Sequence, residues 1–283
     1  MSKHSTQLKV AVVGAGIGGL SAAIALRNAG HAVTVYEKYA SAFTSTTLPL
    51  SNAISTGANI LRIIDKWGFD FKKSKAGLAL GERIFHGETM KQMHYIDMKY
   101  NREDFGYDWL IMRRQALHEG LLDIVASTPD GMTPIEVHLG QEVMSLDCDE
   151  GSLYLQHGEE VLNDLVVVAD GAHSKLIHTI TNHTTPPLRA GRTAYRFMVP
   201  REKIMADPVL RAVYENDEEG FTYYQIPEKG IWFLVTQSDE GDLPENVDSH
   251  ERTLTSWLFG YDVLAEARKY RETTQPQTSQ LVV

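Results

Sequence analysis

Residues Leu8–Lys38, LKVAVVGAGIGGLSAAIALRNAGHAVTVYEK, constrain the fold of this chain more than any other stretch. LKVAVV is a near-continuous apolar run bounded by glycine, the pattern of a central parallel strand covered on both faces. Ile17, Leu20, Ile24 and Arg27 then recur at helical spacing with alanines filling the gaps, and Gly30 stands just past the helix end. AVTVYE reads as a second parallel strand ending in Glu37. Between the first strand and the helix, Gly14, Gly16 and Gly19 form a G-x-G-x-x-G turn. Gly14 permits the tight turn, Gly16 lets the backbone approach a pyrophosphate, and Gly19 lets the helix pack close to the strand. The pyrophosphate would sit on the helix N-terminus, where free N–H groups and the helix dipole favour negative charge. The Glu37 carboxylate can accept hydrogen bonds from a ribose. An ordinary glycine-rich turn can show the same glycines. The ordered strand, helix, second strand and acid point instead to a nucleotide site, and the acid argues against a 2′-phosphate there. This unit alone leaves NAD and FAD both open.

The remaining bulk properties narrow the partners. At roughly 100–200 residues per domain, 283 residues make one large or two small domains. A 43% hydrophobic, 23% charged composition suits a globular chain with a sizeable core. A net charge of −10 without Lys/Arg clusters argues against nucleic acid or an anionic membrane surface as a partner. The single cysteine, Cys148, excludes an intrachain disulfide or a cysteine metal cluster, and a reducing, cytoplasmic location fits. Lying in an alternating segment, Cys148 is expected to be a buried small apolar residue. The start, MSKHSTQ, shows no signal peptide. The uncharged run Val10–Leu26 is short for a membrane span, and its glycines suit a turn and helix start better.

Further along, Tyr39–Asn59 is rich in Ser, Thr, Ala and Gly and reads as a long loop. NILRIIDKWGF predicts a helix with Ile60, Ile63, Ile64 and Trp67 on one face. GLALGERIFHGETMKQMHY predicts short strands turning at Gly81 and Gly87, and RRQALHEGLLDIVAS another amphipathic helix. EVMSLDCDEGSLYLQHGEE reads as a hairpin turning at Asp149–Gly151, and DLVVVADGAHS as a buried strand ending in a polar turn. RTAYRFMVP, FTYYQIP and GIWFLVTQ are rich in aromatic and β-branched residues, as strands of a second sheet would be. Ser249–Arg271 is helix-like and the tail is polar. His173, His178 and His183 are spaced by five, which does not align them on one helix face, so no metal site is read.

Two later stretches, WLIMRRQALHEGLL and NDLVVVADGAHSKL, join the opening motif. Together the three resemble the flavoprotein aromatic hydroxylases, the single-component FAD-dependent monooxygenases of the salicylate hydroxylase type, over roughly 8–268. The resemblance implies an α/β fold: a Rossmann-like FAD-binding domain of the glutathione-reductase type with a second, mainly β substrate domain. The expected domains are 1–188, with inserted strands around 78–100, then a partial substrate sheet over 189–271 and a loose tail over 272–283. It implies FAD held by Gly14, Gly16, Gly19, Glu37 and the adjoining Lys38. It also implies an FAD contact from the arginine of R-x-x-L, matched by Arg114 with Leu117, Arg113 being its neighbour. Asp170 and Gly171 of the A-D-G-x-x-S turn, with Ser174, would reach the ribityl and pyrophosphate region. Asn59 matches a frequent asparagine of a segment that runs over the flavin. The candidate catalytic residues are Arg196, which would pair with a phenolate substrate, and Tyr224, on what is expected to be a neighbouring strand of the same pocket.

The implied reaction is hydroxylation of an aromatic or polyketide-type small molecule, with NADPH or NADH and O2 as co-substrates. The sequence departs from the family's pattern in three places. Val168 and Ile177 stand where the family carries glycine and arginine, Ser51, Asn52 and Ala53 replace glycines, and no G-D-A-A-H stretch is present. The expectation is therefore a C-terminally truncated member. A catalytically impaired member, or a relative that binds a small ligand without redox chemistry, is the alternative. The oligomeric state is not legible.

Overall fold

The computed structural model describes residues 6–40, 53–79, 81–86, 92–183, 193–197, 206, 208, 220–226 and 231–235. In chain order the first elements are β1 (Lys9–Val13), α1 (Ile17–Asn28), β2 (Ala32–Glu37), β3 (Ala53–Thr56), α2 (Ala58–Lys66), β4 (Gly77–Leu78), β5 (Gly81–His86) and β6 (Gln92–Asp97). There follow α3 (Asn101–Phe105), β7 (Leu110–Arg113), α4 (Arg114–Ala126), β8 (Glu136–Leu139), β9 (Val143–Asp147), β10 (Ser152–Leu155) and β11 (Glu160–Leu162). The last are β12 (Leu165–Val168), α5 (Ile177–Thr181), β13 (Thr193–Phe197), β14 (Gly220–Ile226) and β15 (Ile231–Val235). The chain forms two compact units that interleave along the sequence. The first is Met1–Pro49, Ile64–Ser74 and Gln115–Pro187; the second is Leu50–Ile63, Lys75–Arg114 and Leu188–Val283.

The first unit is built on a parallel sheet of order β12-β1-β2-β8. β1 is apolar without alternation because it is central: Val12 pairs with Val35 on one side and Val167 on the other. Ala11, Val13 and Tyr36 bury against Val143, Leu153 and Leu155 of an antiparallel β9-β10-β11 meander, together with Leu176. Side chains alternate along a strand, so Val10 and Val12 face the other side; both are fully buried, and α1 packs on β1 and β2. The expected hairpin at Asp149–Gly151 is present, and β11 extends it by one strand. Cys148 is a correction: β9 ends at Asp147, so the alternation that would bury the cysteine has stopped, and Cys148 is exposed on the turn. β8 is an unforeseen strand; EVHL is short and polar, and pairs with β2 from 102 residues away in sequence (Thr34 with Glu136).

The helix α1 carries its own stop. Gly30 has φ +95°, and its N–H donates to the Arg27 carbonyl at 2.9 Å while His31 N–H donates to Leu26 at 3.1 Å. Arg27 lies on the apolar face with Leu20, Ala23 and Ile24 and is 3% exposed. Its Nη1 donates to the carbonyls of Ile124 at 3.2 Å and Ser127 at 2.6 Å. Those oxygens belong to the end of α4, where carbonyls lack helical partners. Burial pulls the guanidinium pKa below its ordinary value, and the charge is kept because an arginine starts so high.

The second unit holds a mixed sheet of order β13-β15-β14-β5-β6 and an antiparallel β3-β7-β4 sheet. The three aromatic-rich segments thus do form a second sheet, joined by two strands from the 81–97 region. Within the expected loop over Tyr39–Asn59, Ala53–Thr56 is a strand, because AIST finds its partner in LIMR (Ala53 with Arg113). The arginine pair is split: Arg113 ends β7 and Arg114 opens α4. On α2, Leu61 and Ile64 are buried while Ile63 is 49% exposed, so the buried face is rotated from the one the periodicity suggested. The expected turn at Gly87, the helix over Ser249–Arg271 and the tail lie outside the described residues. Among the described residues no helix is long and apolar enough to cross a membrane.

Two stability tests follow. Arg27→Ala strips the donors from two carbonyls and leaves a void, and is expected to cost about 2–4 kcal/mol in urea denaturation. In the second unit, burial raises the Glu82 carboxyl pKa. A raised carboxylate pKa means the folded state holds a proton that the unfolded state has released. Stability is then complete below the ordinary glutamate range and falls as pH rises through and past it. Glu82→Gln should melt higher than the parent at neutral pH and level with it below about pH 4.

Candidate functional site

Where β1 ends, the chain must reverse into α1 with the ADG turn pressed against it. Gly14 does this at φ +99°, its N–H donating to the Tyr36 carbonyl at 2.8 Å. A β-carbon there would lie 2.6 Å from the Ala169 carbonyl oxygen. At Gly19, inside the first turn of α1, a β-carbon would lie 1.9 Å from the Gly14 oxygen. These two glycines are demanded by the fold. Gly16 is different: its backbone (φ −70°, ψ 177°) suits any residue, and a β-carbon there would meet nothing within 4 Å. Gly18 likewise faces open space. The N-terminus of α1 has no side-chain cap and no acid in its first turn, so its free N–H groups and positive dipole end are offered outward.

Glu37 shapes this turn as well as flanking it. Oε2 accepts from Ala15 N–H at 2.7 Å and Oε1 from Tyr39 N–H at 3.0 Å. A carboxylate has about four lone-pair sites, so acceptor capacity for a ribose remains. Across the turn, His118 Nε2 meets the Ala15 carbonyl oxygen at 2.7 Å. A carbonyl only accepts, so Nε2 carries the hydrogen. Sequence reading did not single out His118; its one signal is its place beside the buried Leu117 in the second motif, and only the folded chain brings it to residue 15.

The third motif arrives through β12. Ala169 N–H donates to Val13 at 2.9 Å, continuing the β1–β12 pairing, and Gly171 turns the chain at φ +96°. Half-buried Asp170 is thereby set beside the glycine turn, its Cα 3.1 Å from where a Gly14 β-carbon would stand. Ser174 Oγ accepts from Leu176 and Ile177 N–H at 3.2 and 3.1 Å, holding the start of α5. Val168 is the last residue of β12 and pairs with Val13, while Ile177 is 42% exposed on α5.

The structure therefore gathers Gly14, Gly16, Gly19, Glu37, Asp170 and Gly171 in the first unit. Lys38 is exposed, with Nζ 5.1 Å over the Tyr39 ring centroid. Arg114 is exposed; it is counted in the second unit, and so are the positions of Arg196 and Tyr224. The expectation that Tyr224 lies on a strand neighbouring that of Arg196 is corrected. β15 runs between β13 and β14, with Arg196 opposite Leu234 and Tyr224 opposite Phe233. The residues present fit the ADP half of a dinucleotide: an open helix N-terminus, a carboxylate with spare acceptors, and a half-buried aspartate at the adjacent strand end.

Comparison with known proteins agrees with this geometry. The family model described as pyridine nucleotide-disulphide oxidoreductase matches residues 8–196. The FAD-dependent monooxygenase cfoG of Aspergillus candidus is 32% identical over 222 residues, covering 76% of this chain and 49% of its own length. Hispidin-3-hydroxylase of Neonothopanus nambi is 27% identical, covering 81% of this chain and 53% of its own. The chain thus spans about half the length of these relatives. Among solved structures, 2-methyl-3-hydroxypyridine-5-carboxylic acid oxygenase aligns with TM-score 0.51 at 25% identity, over 62% of this chain and 43% of that one. CtdE in complex with FAD aligns with TM-score 0.57 at 19% identity over 82% of this chain and 54% of its own, a likeness of fold.

The glycines offer a clean contrast. Gly19→Ala is expected to destabilise the first unit by on the order of 3 kcal/mol, since the intruding atom meets backbone. Gly16→Ala should melt like the parent, and any effect on ADP affinity, read by titration calorimetry, would then report ligand space alone.

Proposed function

The chain belongs to the pyridine nucleotide-disulphide oxidoreductase family and to its flavoprotein aromatic hydroxylase type, and from that premise we propose that it binds FAD and serves in hydroxylation of an aromatic or polyketide-type small molecule with NADPH or NADH and O2. The observation that carries this reading is the meeting of the glycine turn with the ADG turn, Ala169 against Gly14, beside a carboxylate at the end of β2. FAD, when bound, would supply the redox and oxygen chemistry, and the protein's part is to bind, orient and exclude water. In this reading the α1 N-terminus and Gly16 receive the pyrophosphate, and the remaining lone pairs of Glu37 accept from the ribose. Asp170 and Gly171 line the ribityl side, with Arg114 and Lys38 as cationic contacts to the cofactor. The first unit is the cofactor domain. The β13-β15-β14-β5-β6 sheet is the substrate domain, where Arg196 would pair with a phenolate and Tyr224 serve separately as a wall. A reducing, cytoplasmic location suits the exposed thiol of Cys148.

The test is a visible spectrum of the purified chain after FAD addition and desalting, followed by NADPH and NADH oxidation with candidate phenols. Retained, protein-perturbed flavin bands with phenol-stimulated oxidation are expected. Retained flavin without nicotinamide oxidation would favour a ligand-binding relative without redox turnover. Colourless protein after desalting would overturn the FAD reading.

A further inference from the structure

The contact between His118 and the Ala15 carbonyl has a consequence for the atom on the other side of the same peptide bond. Among the described residues no peptide is cis. In a trans peptide the C=O and the following N–H point in opposite directions. Anchoring the Ala15 oxygen on His118 Nε2 at 2.7 Å therefore turns the Gly16 N–H away from α4. A β-carbon at Gly16 would meet nothing within 4 Å, and the Gly16 N–H has no hydrogen-bond partner among the described residues. The preceding peptide is held independently, its N–H on Glu37 at 2.7 Å. Two consecutive peptide planes are thus fixed by side chains from two different elements, and the plane that aims Gly16 is the one in the grip of His118.

The helix that carries His118 is itself well placed to hold this direction. Near its other end, the carbonyls of Ile124 and Ser127 take Arg27 from the last turn of α1. His118 and Ile124 are six residues apart, about 9 Å along α4. Polar contacts near both ends of α1 fix how far it can slide along α4, so its N-terminus cannot drift without breaking one of them. Leu117, beside His118, and Leu121 are buried, which fixes the face of α4 that looks inward.

We propose that His118 is the positioning residue of the phosphate turn: by holding the Ala15 carbonyl it aims the Gly16 N–H at the pyrophosphate of the bound dinucleotide. The inference rests on the nucleotide reading above and assigns no chemical step to the imidazole. It locates the effect on the phosphates and not on the adenosine.

The experiment compares ADP, FAD and adenosine binding by titration calorimetry to the full chain and to His118→Gln and His118→Asn. Gln keeps an N–H donor at about the reach of Nε2, and Asn is too short to reach the carbonyl. Asn is expected to weaken ADP and FAD about tenfold, the worth of one well-made hydrogen bond, with adenosine unchanged. Gln should restore most of the loss. Equal weakening of ADP and adenosine would mean that His118 only supports the fold, and parental ADP affinity in the Asn variant would mean that Gly16 is aimed without it; either result overturns the proposal. If the parent chain itself binds neither ADP nor FAD, the nucleotide reading fails first and this inference falls with it.

Discussion

Everything in the first unit depends on how closely the start of α1 can approach the end of β1. The contact is backbone against backbone, with room for no side chain: a single carbon at Gly19 would sit 1.9 Å from the Gly14 oxygen. This approach seats α1 on β1 and β2 and points its unsatisfied N–H groups at open space. It also leaves β1 free to accept β12 on its far edge, which delivers Ala169 and Asp170 to the same turn. The helix dipole, the glycine turn and the ADG turn are therefore one construction, closed by sterics before any ligand enters.

The polar groups around the turn divide into those that hold it and those that remain available. Glu37 does both, since two backbone N–H groups use only part of its acceptor capacity. His118 of α4 and Arg27 of α1 join the two helices, one near each end of α1, and both work through backbone carbonyls. A pair of loops by itself would not keep such a turn in one conformation, because fixing each residue costs conformational entropy of order 1–2 kcal/mol. Side chains from β2 and α4 supply the compensating contacts from elements that are themselves rigid.

Local signals are legible in this sequence and distant ones are not. β1, α1, its Gly30 stop and β2 follow from spacing and glycine chemistry within thirty-odd residues, and the aromatic-rich segments do pair as a sheet. AIST and EVHL escaped because a four-residue strand declares itself only opposite its partner, Arg113 for Ala53 and Thr34 for Glu136. Cys148 follows an alternation that ends one residue earlier, at Asp147, and so is exposed. On α2 the periodic pattern admitted several faces, and burial of Leu61 in place of Ile63 was decided by what packs there. The adjacency expected for Arg196 and Tyr224 failed because strand order is not chain order: β15 comes last in sequence and lies between the other two.

By itself the sequence determined the β1-α1-β2 unit: which glycines turn the chain, where the acid ends β2, and that a second sheet follows. These are matters of local backbone geometry, and short-range sterics decide them. Only the tertiary structure decided that Gly14 and Gly19 serve the fold while Gly16 serves open space, that Asp170 comes to lie beside Gly14, and that His118 holds Ala15 from 103 residues away. Those facts depend on which surfaces meet after β12 and α4 pack onto β1 and α1, and no spacing within a segment carries that information.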